Sequence, residues 1–287
     1  MRFELYSDIV AFHNDVYELL LKNEVKNMVF LGNLLVGLSK SDPTGWRDPR
    51  GWVMASVKCE ERVVLAALMI PDDKLQVCSD ESLESGVLHE FVNGLKNAGI
   101  IVKGISAEYV LAEAFANIHS AAHNTTHEIT KKGRIYCLEQ INKEIITTSK
   151  IRLAKKKDLA FLPFWWNGFF ECFDSLYGID INEYERLVST ETLYILENDG
   201  IPVTMARIDQ KLEQICGLGM VYTPPYFRNR GYATTITASL TELCLDEGYL
   251  SALITDLSNL VSNSIYQKIG YRPVCDILEI AFYNHST

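Results

Sequence analysis

Three stretches carry residues whose types and spacing could do chemistry. In "YFRNRGYATT" (226–235), Arg228 and Arg230 stand beside Gly231, and the small Ala233 follows. Between a strand and a helix, such a turn aims unpaired backbone N–H groups at one point. The helix macrodipole adds roughly half a positive charge there. Gly231 lets the backbone approach an anion closely, Ala233 keeps the next approach unobstructed, and the arginines can add charge. The chemistry that suits this arrangement is the cradling of phosphate, with a plain surface turn as the competing reading. In "NLVSNSIYQKIGY" (259–271), Asn259, Asn263 and the phenol of Tyr266 fall on a short helix closed by Gly270. In "HSAAHNTTH" (119–127), His119, His123 and His127 are four apart and would share one face of a continuous helix. The Asn-Thr-Thr run interrupts that helix, and Ser120 stands where a zinc peptidase needs Glu, so no metal is expected.

The elements that must position these residues are legible around them. "TLYILENDGIPVTMARI" (192–208) is two apolar runs joined at Asp199-Gly200, a hairpin signal. "EQICGLGMVYT" is the next strand, and "ATTITASLTELCLDEG" has helical spacing at Ala233, Ile236, Leu240 and Leu243, closed by Gly248. "SALITDL" is a strand, "SNSIYQKIG" a short helix, and "RPVCDILEIAFYN" a last extended segment. The first half repeats the order: a hairpin in "WVMASVKCEERVVLAALM" turning at Glu60-Glu61, the strand "KLQVC" and a helix closed by Gly99. "IIVKGI", the helical "AEYVLAEAFANIHSA" and "RIYCLEQI" follow. Hairpin, strand, helix, strand, helix, strand occurs twice, which predicts two domains of similar architecture, residues 1–145 and 148–287, joined near the polar "NKEIITTSK". After its strand the first half has Asp80, Glu81 and Glu84 where the second has the arginine turn, so only the second half is expected to bind an anion.

Composition narrows the class. At 287 residues, 48% apolar and 22% charged, the chain suits two folded domains. Acids outnumber bases 37 to 27, giving a net charge of −10, which disfavours a nucleic-acid partner and either serves solubility alone or suits a cationic amine. No stretch approaches the roughly 20 apolar residues of a membrane span. The start "MRFELYSDIVAFHND" lacks the apolar core of a signal peptide, so a cytoplasmic protein with no membrane partner is expected. Seven scattered cysteines without a Cys-x-x-Cys pair read as reduced, mostly buried thiols.

Residues 219–271 resemble the GCN5-related N-acetyltransferase (GNAT) family. The family's pyrophosphate loop, Arg/Gln-x-x-Gly-x-Gly/Ala, is matched by Arg228-Asn-Arg-Gly231-Tyr-Ala233. Its downstream signature is an Asn, a short helix and then Leu/Ile-Tyr-x-x-x-Gly-Phe/Tyr. Asn259, Ile265, Tyr266, Gly270 and Tyr271 match it. Both motifs in order, separated by one helix and one strand, carry the resemblance over about 140 residues, and the first half resembles a degenerate copy, as in tandem GNAT proteins. The fold class this implies is α/β (α+β): two GNAT-like domains, each a mixed, mostly antiparallel sheet flanked by helices.

The resemblance implies an N-acetyltransferase that uses acetyl-CoA and transfers directly to an amine, with no metal. The cofactor arm would pair with Val221, Tyr222 and Thr223, and pyrophosphate would take N–H bonds across Asn229, Arg230, Gly231, Tyr232, Ala233 and Thr234, flanked by Arg228. Asn259 would bond the cofactor arm or cap the helix after it, and Asn263 could do either. Tyr266 would be the general acid: a phenol of pKa about 10 can protonate a leaving thiolate whose thiol has a pKa of roughly 8.5. For the base, Glu213 and Asp256 could each accept a proton through water, or be solvated carboxylates only. "FLPFWWNGFFECF" (161–173) would line the acceptor side, with Trp165, Trp166 and Phe169 as an apolar wall and Glu171 holding a cation; the same aromatics could simply be core. A non-catalytic acyl-CoA sensor or scaffold, and transfer of a longer acyl or an aminoacyl group, are the alternatives. The acceptor is expected to be a small-molecule amine; oligomeric state is not legible.

Overall fold

A computed structural model describes residues 1–39, 48–80, 84–145, 151–171 and 181–284. The chain divides into two units. The first is Met1–Ile135 with Asp256–Ser258 and Pro273–Thr287; the second is Tyr136–Thr255 with Asn259–Arg272.

The first unit begins with β1 (Arg2–Tyr6), α1 (Ile9–Leu21) and α2 (Met28–Leu38), followed by β2 (Val53–Cys59), β3 (Arg62–Met69) and β4 (Leu75–Ser79). Then come α3 (Ser85–Asn97), β5 (Gly104–Glu108), α4 (Tyr109–His123) and β6 (Thr125–Leu138). Asp8 opens α1 by accepting the Ala11 N–H at 2.8 Å, and Ile9, Phe12, Val16, Leu19 and Leu20 form its buried face. The β2–β3 hairpin turns at Glu60, whose φ of 57° places it in the left-handed region, as the sequence predicts. The strand expected at 100–105 lies instead at Gly104–Glu108, and the following helix starts at Tyr109. Helix α4 ends at His123, where Asn124 takes a left-handed φ of 53°, so His127 falls on β6 and the three histidines do not share a helix. Among the described residues no group of three or more His, Cys, Asp or Glu side chains is placed to hold a metal ion.

In the second unit β7 (Ile151–Leu153), α5 (Leu162–Glu171), α6 (Ile181–Ser189), β8 (Leu193–Asn198) and β9 (Ile201–Lys211) lead to β10 (Ile215–Tyr222). After them come α7 (Tyr232–Asp246), β11 (Leu250–Asp256) and α8 (Leu260–Ile269), and β12 (Arg272–Asn284) follows, returning from Pro273 on to the first unit. The strand order is β11-β10-β9-β8-β7, antiparallel except for the parallel pair β10–β11. One core lies under α7 and α8, built from Val203, Ala206, Ile208, Leu218, Ile236, Leu240, Leu253 and Tyr266. Leu162 and Trp165 of α5 pack with Met205 and Tyr222 in another.

The units do not divide the chain at one point, as a split into 1–145 and 148–287 would have it. The last strand, β12, pairs antiparallel with β5 from Ile277–Glu108 to Ala281–Gly104. Leu278 and Ile280 are buried in the first unit's core. The first unit's strands thus run β1-β2-β3-β4-β5-β12-β6, with β4 and β5 parallel and the other registered pairs antiparallel. Conversely, Tyr136 and Leu138 from the end of β6 pack in the second unit's core. Strand pairing is set by partners distant in sequence, and the polar run at 142–150, partly outside the described residues, marks no boundary on that scale.

Cys216 of β10 and Cys244 of α7 are joined as a disulfide, with Cα atoms 6.0 Å apart, which corrects the expectation of reduced thiols throughout. Cys59, Cys78, Cys137 and Cys275 are free. Among the described residues no helix is long and apolar enough to cross a membrane.

Candidate functional site

The site is built where β10 and β11 part. Their parallel pairing runs from Ile215–Leu250 to Leu218–Leu253 and goes no further. On its other edge β10 is irregular twice. Gly217 pairs with Gln210 and Leu218 with Ile208, so Asp209 is an extra residue in β9. Gly219 pairs with Arg207 and Tyr222 with Met205, which leaves Met220 and Val221 opposite Ala206. Met220 takes a φ of 51° at that bulge. Bulges bend a strand and re-aim its side chains; here they fall beside the segment where β10 leaves β11.

Beyond β10 the chain turns through a short 3-10 segment, Pro225–Phe227, and enters α7 at Gly231. Gly231 has a φ of 81°, and a Cβ built on it would meet no atom within 4 Å. No side chain caps α7 there. Its first N–H groups therefore lack a side-chain cap at Gly231, the arrangement that suits an anion. Asn229 and Arg230 are exposed, and Asn229 also takes a left-handed φ, 61°. Ala233 and Thr234 are half-buried, and Tyr232 packs its ring against the core under α7. Arg228 folds back: its Nε donates to the Thr223 carbonyl at 3.0 Å, and its guanidinium lies 6.0 Å from the Tyr222 ring centroid. It braces the end of β10.

The segment expected to pair with a cofactor arm is partly engaged. The carbonyl of Tyr222 accepts the Thr204 hydroxyl at 2.8 Å, and the Thr223 hydroxyl donates to Thr204 Oγ1 at 2.9 Å. Tyr222 points its ring away from α7, toward α5, where Gly168 leaves it room; a Cβ at Gly168 would stand 2.8 Å from Tyr222 Cζ. Val221 is half-buried.

At the start of α8, Asn259 acts as a cap, its Oδ1 accepting the Ser262 N–H at 3.0 Å. Asn263 donates its amide to the Asn259 carbonyl at 2.8 Å and accepts the Tyr136 hydroxyl at 2.9 Å. Tyr266 is buried beneath this, its ring 6.4 Å from Tyr136 and 6.0 Å from Tyr271. Burial pushes its phenol up to about 12, against a hydrogen bond with Ser262 that pulls the other way. It is protonated at any working pH and serves as a donor rather than an anion. The Gly-Tyr pair after it has its own cause. Gly270 ends α8 at a φ of 122°, with the Gln140 carbonyl oxygen 3.1 Å from where a Cβ would sit. The buried Tyr271 hydroxyl makes 2.6 Å bonds to both Thr241 of α7 and Ser251 of β11. That anchor fixes the end of α8 and with it the depth of Tyr266.

The proposed acceptor wall divides. Trp165 is core, 4.5 Å from the Phe161 ring. Trp166 and Phe169 are partly buried against the same cluster, and Trp166 stands edge-on to Tyr184 at 5.9 Å. Trp166 Nε1 is shielded and has no hydrogen-bond partner among the described residues. Glu171 is exposed at the end of α5. Glu213 lies in the turn ahead of β10, two residues before the strand begins at Ile215 and thus beyond the roughly 13 Å of strand that leads to Gly219, at the end remote from the α7 turn. Asp256 ends β11 and binds the N–H and hydroxyl of Ser258 at 2.7 and 2.6 Å, as an exposed turn-forming carboxylate does. The structure thus brings Val221 to Thr223, the Arg228–Thr234 turn and Tyr266 to the parted strands, and leaves Glu213 out.

Sequence reasoning missed Asp209. Its carboxyl sits over Gly219, the first residue of β10 beyond the β11 pairing; a Cβ there would stand 2.8 Å from Asp209 Cγ. Burial pushes this carboxyl up to about 6, and Arg207, 3.7 Å away, pulls it down. The side chain keeps 38% of its surface exposed, which tempers the upward push. The available signal was an acid breaking the apolar alternation of "TMARIDQK" opposite the glycine-rich "CGLG".

Residues 206–277 match the family model described as FR47-like protein. No curated protein matches the chain. Solved structures similar to it include a GNAT-family acetyltransferase from Colwellia psychrerythraea, 13% identical, covering 99% of this chain and 100% of that one with a TM-score of 0.58. A Drosophila protein is 12% identical, covering 99% of each chain, with a TM-score of 0.65. A tandem GNAT protein from the clavulanic acid biosynthesis pathway is 11% identical, covering 100% of this chain and 99% of that one, with a TM-score of 0.56. At such identities the likeness is one of fold, and it spans both units. The resemblance carried by two short motifs therefore holds for the whole chain: its fold is that of the tandem GCN5-related N-acetyltransferases.

Proposed function

We propose that the protein is an N-acetyltransferase that carries acetyl from acetyl-CoA directly to a primary amine of a small molecule in a ternary complex, in the cytoplasm and without a metal. The observation that carries this reading is the start of α7: an uncapped helix N-terminus at a glycine of φ 81° with open space above it, directly after the strand that parts from its parallel neighbour. Diphosphate suits the N–H groups from Asn229 to Thr234, and the N–H and C=O groups of a cofactor arm can add to the free edge of β10. Acetyl-CoA supplies an activated acetyl thioester. Tyr266 provides a protonated phenol from the α8 side, and Asn259 holds the start of α8 in place. The acidic composition favours a cationic acceptor over a nucleic acid.

A second reading rests on Tyr266 itself. Its enclosed phenol, pushed up to about 12, is a weaker acid than an exposed one, and a domain that binds acyl-CoA without transfer requires the turn but no acid. Transfer of a longer acyl or an aminoacyl group is the remaining alternative. Release of free thiol from acetyl-CoA with a panel of amines separates these readings. Amine-dependent release supports transfer, whereas saturable CoA binding without release by any amine supports the sensor.

A further inference from the structure

We infer that Asp209 is the general base, taking the proton from the acceptor ammonium on the α5 side of the sheet while Tyr266 serves the leaving sulfur from the α8 side. The inference rests on the transferase reading above and adds the residue and the face. Leu218 packs into the core under α7 and α8, so the next residue, Gly219, faces the opposite side, toward α5. The Asp209 carboxyl lies on that face, directly over Gly219. Gly219 is also where β10 leaves β11, four residues or roughly 13 Å before Thr223 and the turn into α7. A donor whose diphosphate occupies that turn and whose arm follows β10 inward places its reacting end at this point.

Two irregularities serve this placement. The extra residue in β9 at Asp209 presents the carboxyl at the parting point, and the absence of a side chain at Gly219 makes the space that it fills. The exposed part of its side chain gives an amine, or one intervening water, access. Arg207 is the charged group that faces it; the Arg207 Nε also reaches the Thr192 hydroxyl at 3.3 Å. In the step, the ammonium N–H bond breaks with its proton passing to the Asp209 carboxylate, and the freed lone pair forms the C–N bond to the acetyl carbon. The C–S bond breaks, and the sulfur takes the proton of the Tyr266 hydroxyl. As the tetrahedral intermediate collapses, the nitrogen's second proton passes through water to the phenolate, which restores the phenol and leaves the neutral amide, and water accepts the proton from Asp209. No oxidant, reductant or further reactant enters.

The test uses the full chain. With carboxyl-13C-labelled aspartate, the resonance lost in Asp209→Asn is expected to titrate near pH 6 in the free protein, whereas titration in the ordinary carboxylate range near 4 overturns the assignment. In thiol-release assays with a competent amine, wild-type turnover should fall as pH drops through about 6, because the base is then protonated. Asp209→Asn should lose about 10²–10⁴-fold in kcat together with that acid limb, and its CoA affinity by calorimetry should stay at the wild-type value. Because the carboxyl is raised in the folded state, ionising it disfavours folding, so the melting temperature of Asp209→Asn at pH 7 should not fall below wild type. An active wild type with an equally active Asp209→Asn overturns this proposal alone. A wild type inert toward every amine overturns the transferase reading and this proposal with it.

Discussion

Both units have a pair of parallel strands that part, yet they end in opposite chemistry. In the first, β4 meets β5 only at Leu75–Ile105 and Gln76–Ser106, much as β10 meets β11 only over Ile215 to Leu218. The segments beyond the two strands differ. After β10 come an arginine turn, Gly231 at φ 81° and an uncapped α7. After β4 comes Asp80, bonded to Lys22 at 2.9 Å and Arg62 at 2.7 Å, and then α3, which begins behind the exposed Glu84. Asp80 does not stand as the bare repelling charge that the sequence suggested, because two cations hold it. Glu81 lies outside the described residues. A gap between strands is therefore only half of the site. The other half is a backbone that can take a left-handed turn and present its N–H groups without a carboxylate beside them.

The contrast between the units depends most heavily on Gly231. Gly231→Asp adds a Cβ at a φ that disfavours it and a carboxylate at the proposed anion site, so the thermal stabilisation by CoA should vanish. Ligand at about 100 times its dissociation constant stabilises by about 2.7 kcal/mol, so the loss is easy to read in a melting curve. An undiminished shift would move the anion site elsewhere.

Next in size is the hydroxyl of Tyr266, whose motif has no counterpart in the first half. Tyr266→Phe keeps the ring among Tyr136 and Tyr271 and should leave CoA affinity unchanged, with kcat falling about 10²–10⁴-fold. Loss of the bond to Ser262 should cost stability only about 1 kcal/mol. Unchanged kcat would make Tyr266 a packing residue.

The assignment of β12 to the first unit is tested at Leu278, which is buried there. Leu278→Ala should destabilise by about 2–5 kcal/mol, and amide hydrogen exchange should rise in β5 and α4 before it rises in β10 and α7. Equal acceleration in both sets would contradict separate cores. The smallest effect belongs to Asp80→Asn. Neutralising it breaks two ion pairs with half-exposed or exposed cations, for about 1 kcal/mol or less, and should create no new CoA site because the glycine turn is still missing. An extra CoA bound by this variant would mean that charge alone had closed the first gap.

Much of the fold and of the glycine turn before α7 was legible because their signals are local. Gly231, Ala233, Gly248 and Gly270 act through their own backbone geometry, and apolar spacing within one helix or strand reports its buried face. The Tyr266 motif was legible as a pattern, but its reason, the Tyr271 hydroxyl bridging Thr241 and Ser251, required three elements to meet. Two things were not legible. The partner of β12 depends on β5, some 170 residues earlier in the chain, and nothing in "RPVCDILEIAFYN" names it. Asp209 depends on a bulge, which shifts register by one residue and leaves no local signature beyond an acid in a strand. The same limit explains why Glu213 was an attractive base in one dimension: it precedes the right strand, at the wrong end.

Of the two similar gaps, then, one is expected to hold CoA and the other to stay empty. Calorimetric titration of the full-length chain with CoA measures this through its stoichiometry. One CoA bound per chain in wild type, and none in Gly231→Asp, is the expected result. Two per chain, or one that survives Gly231→Asp, would contradict it.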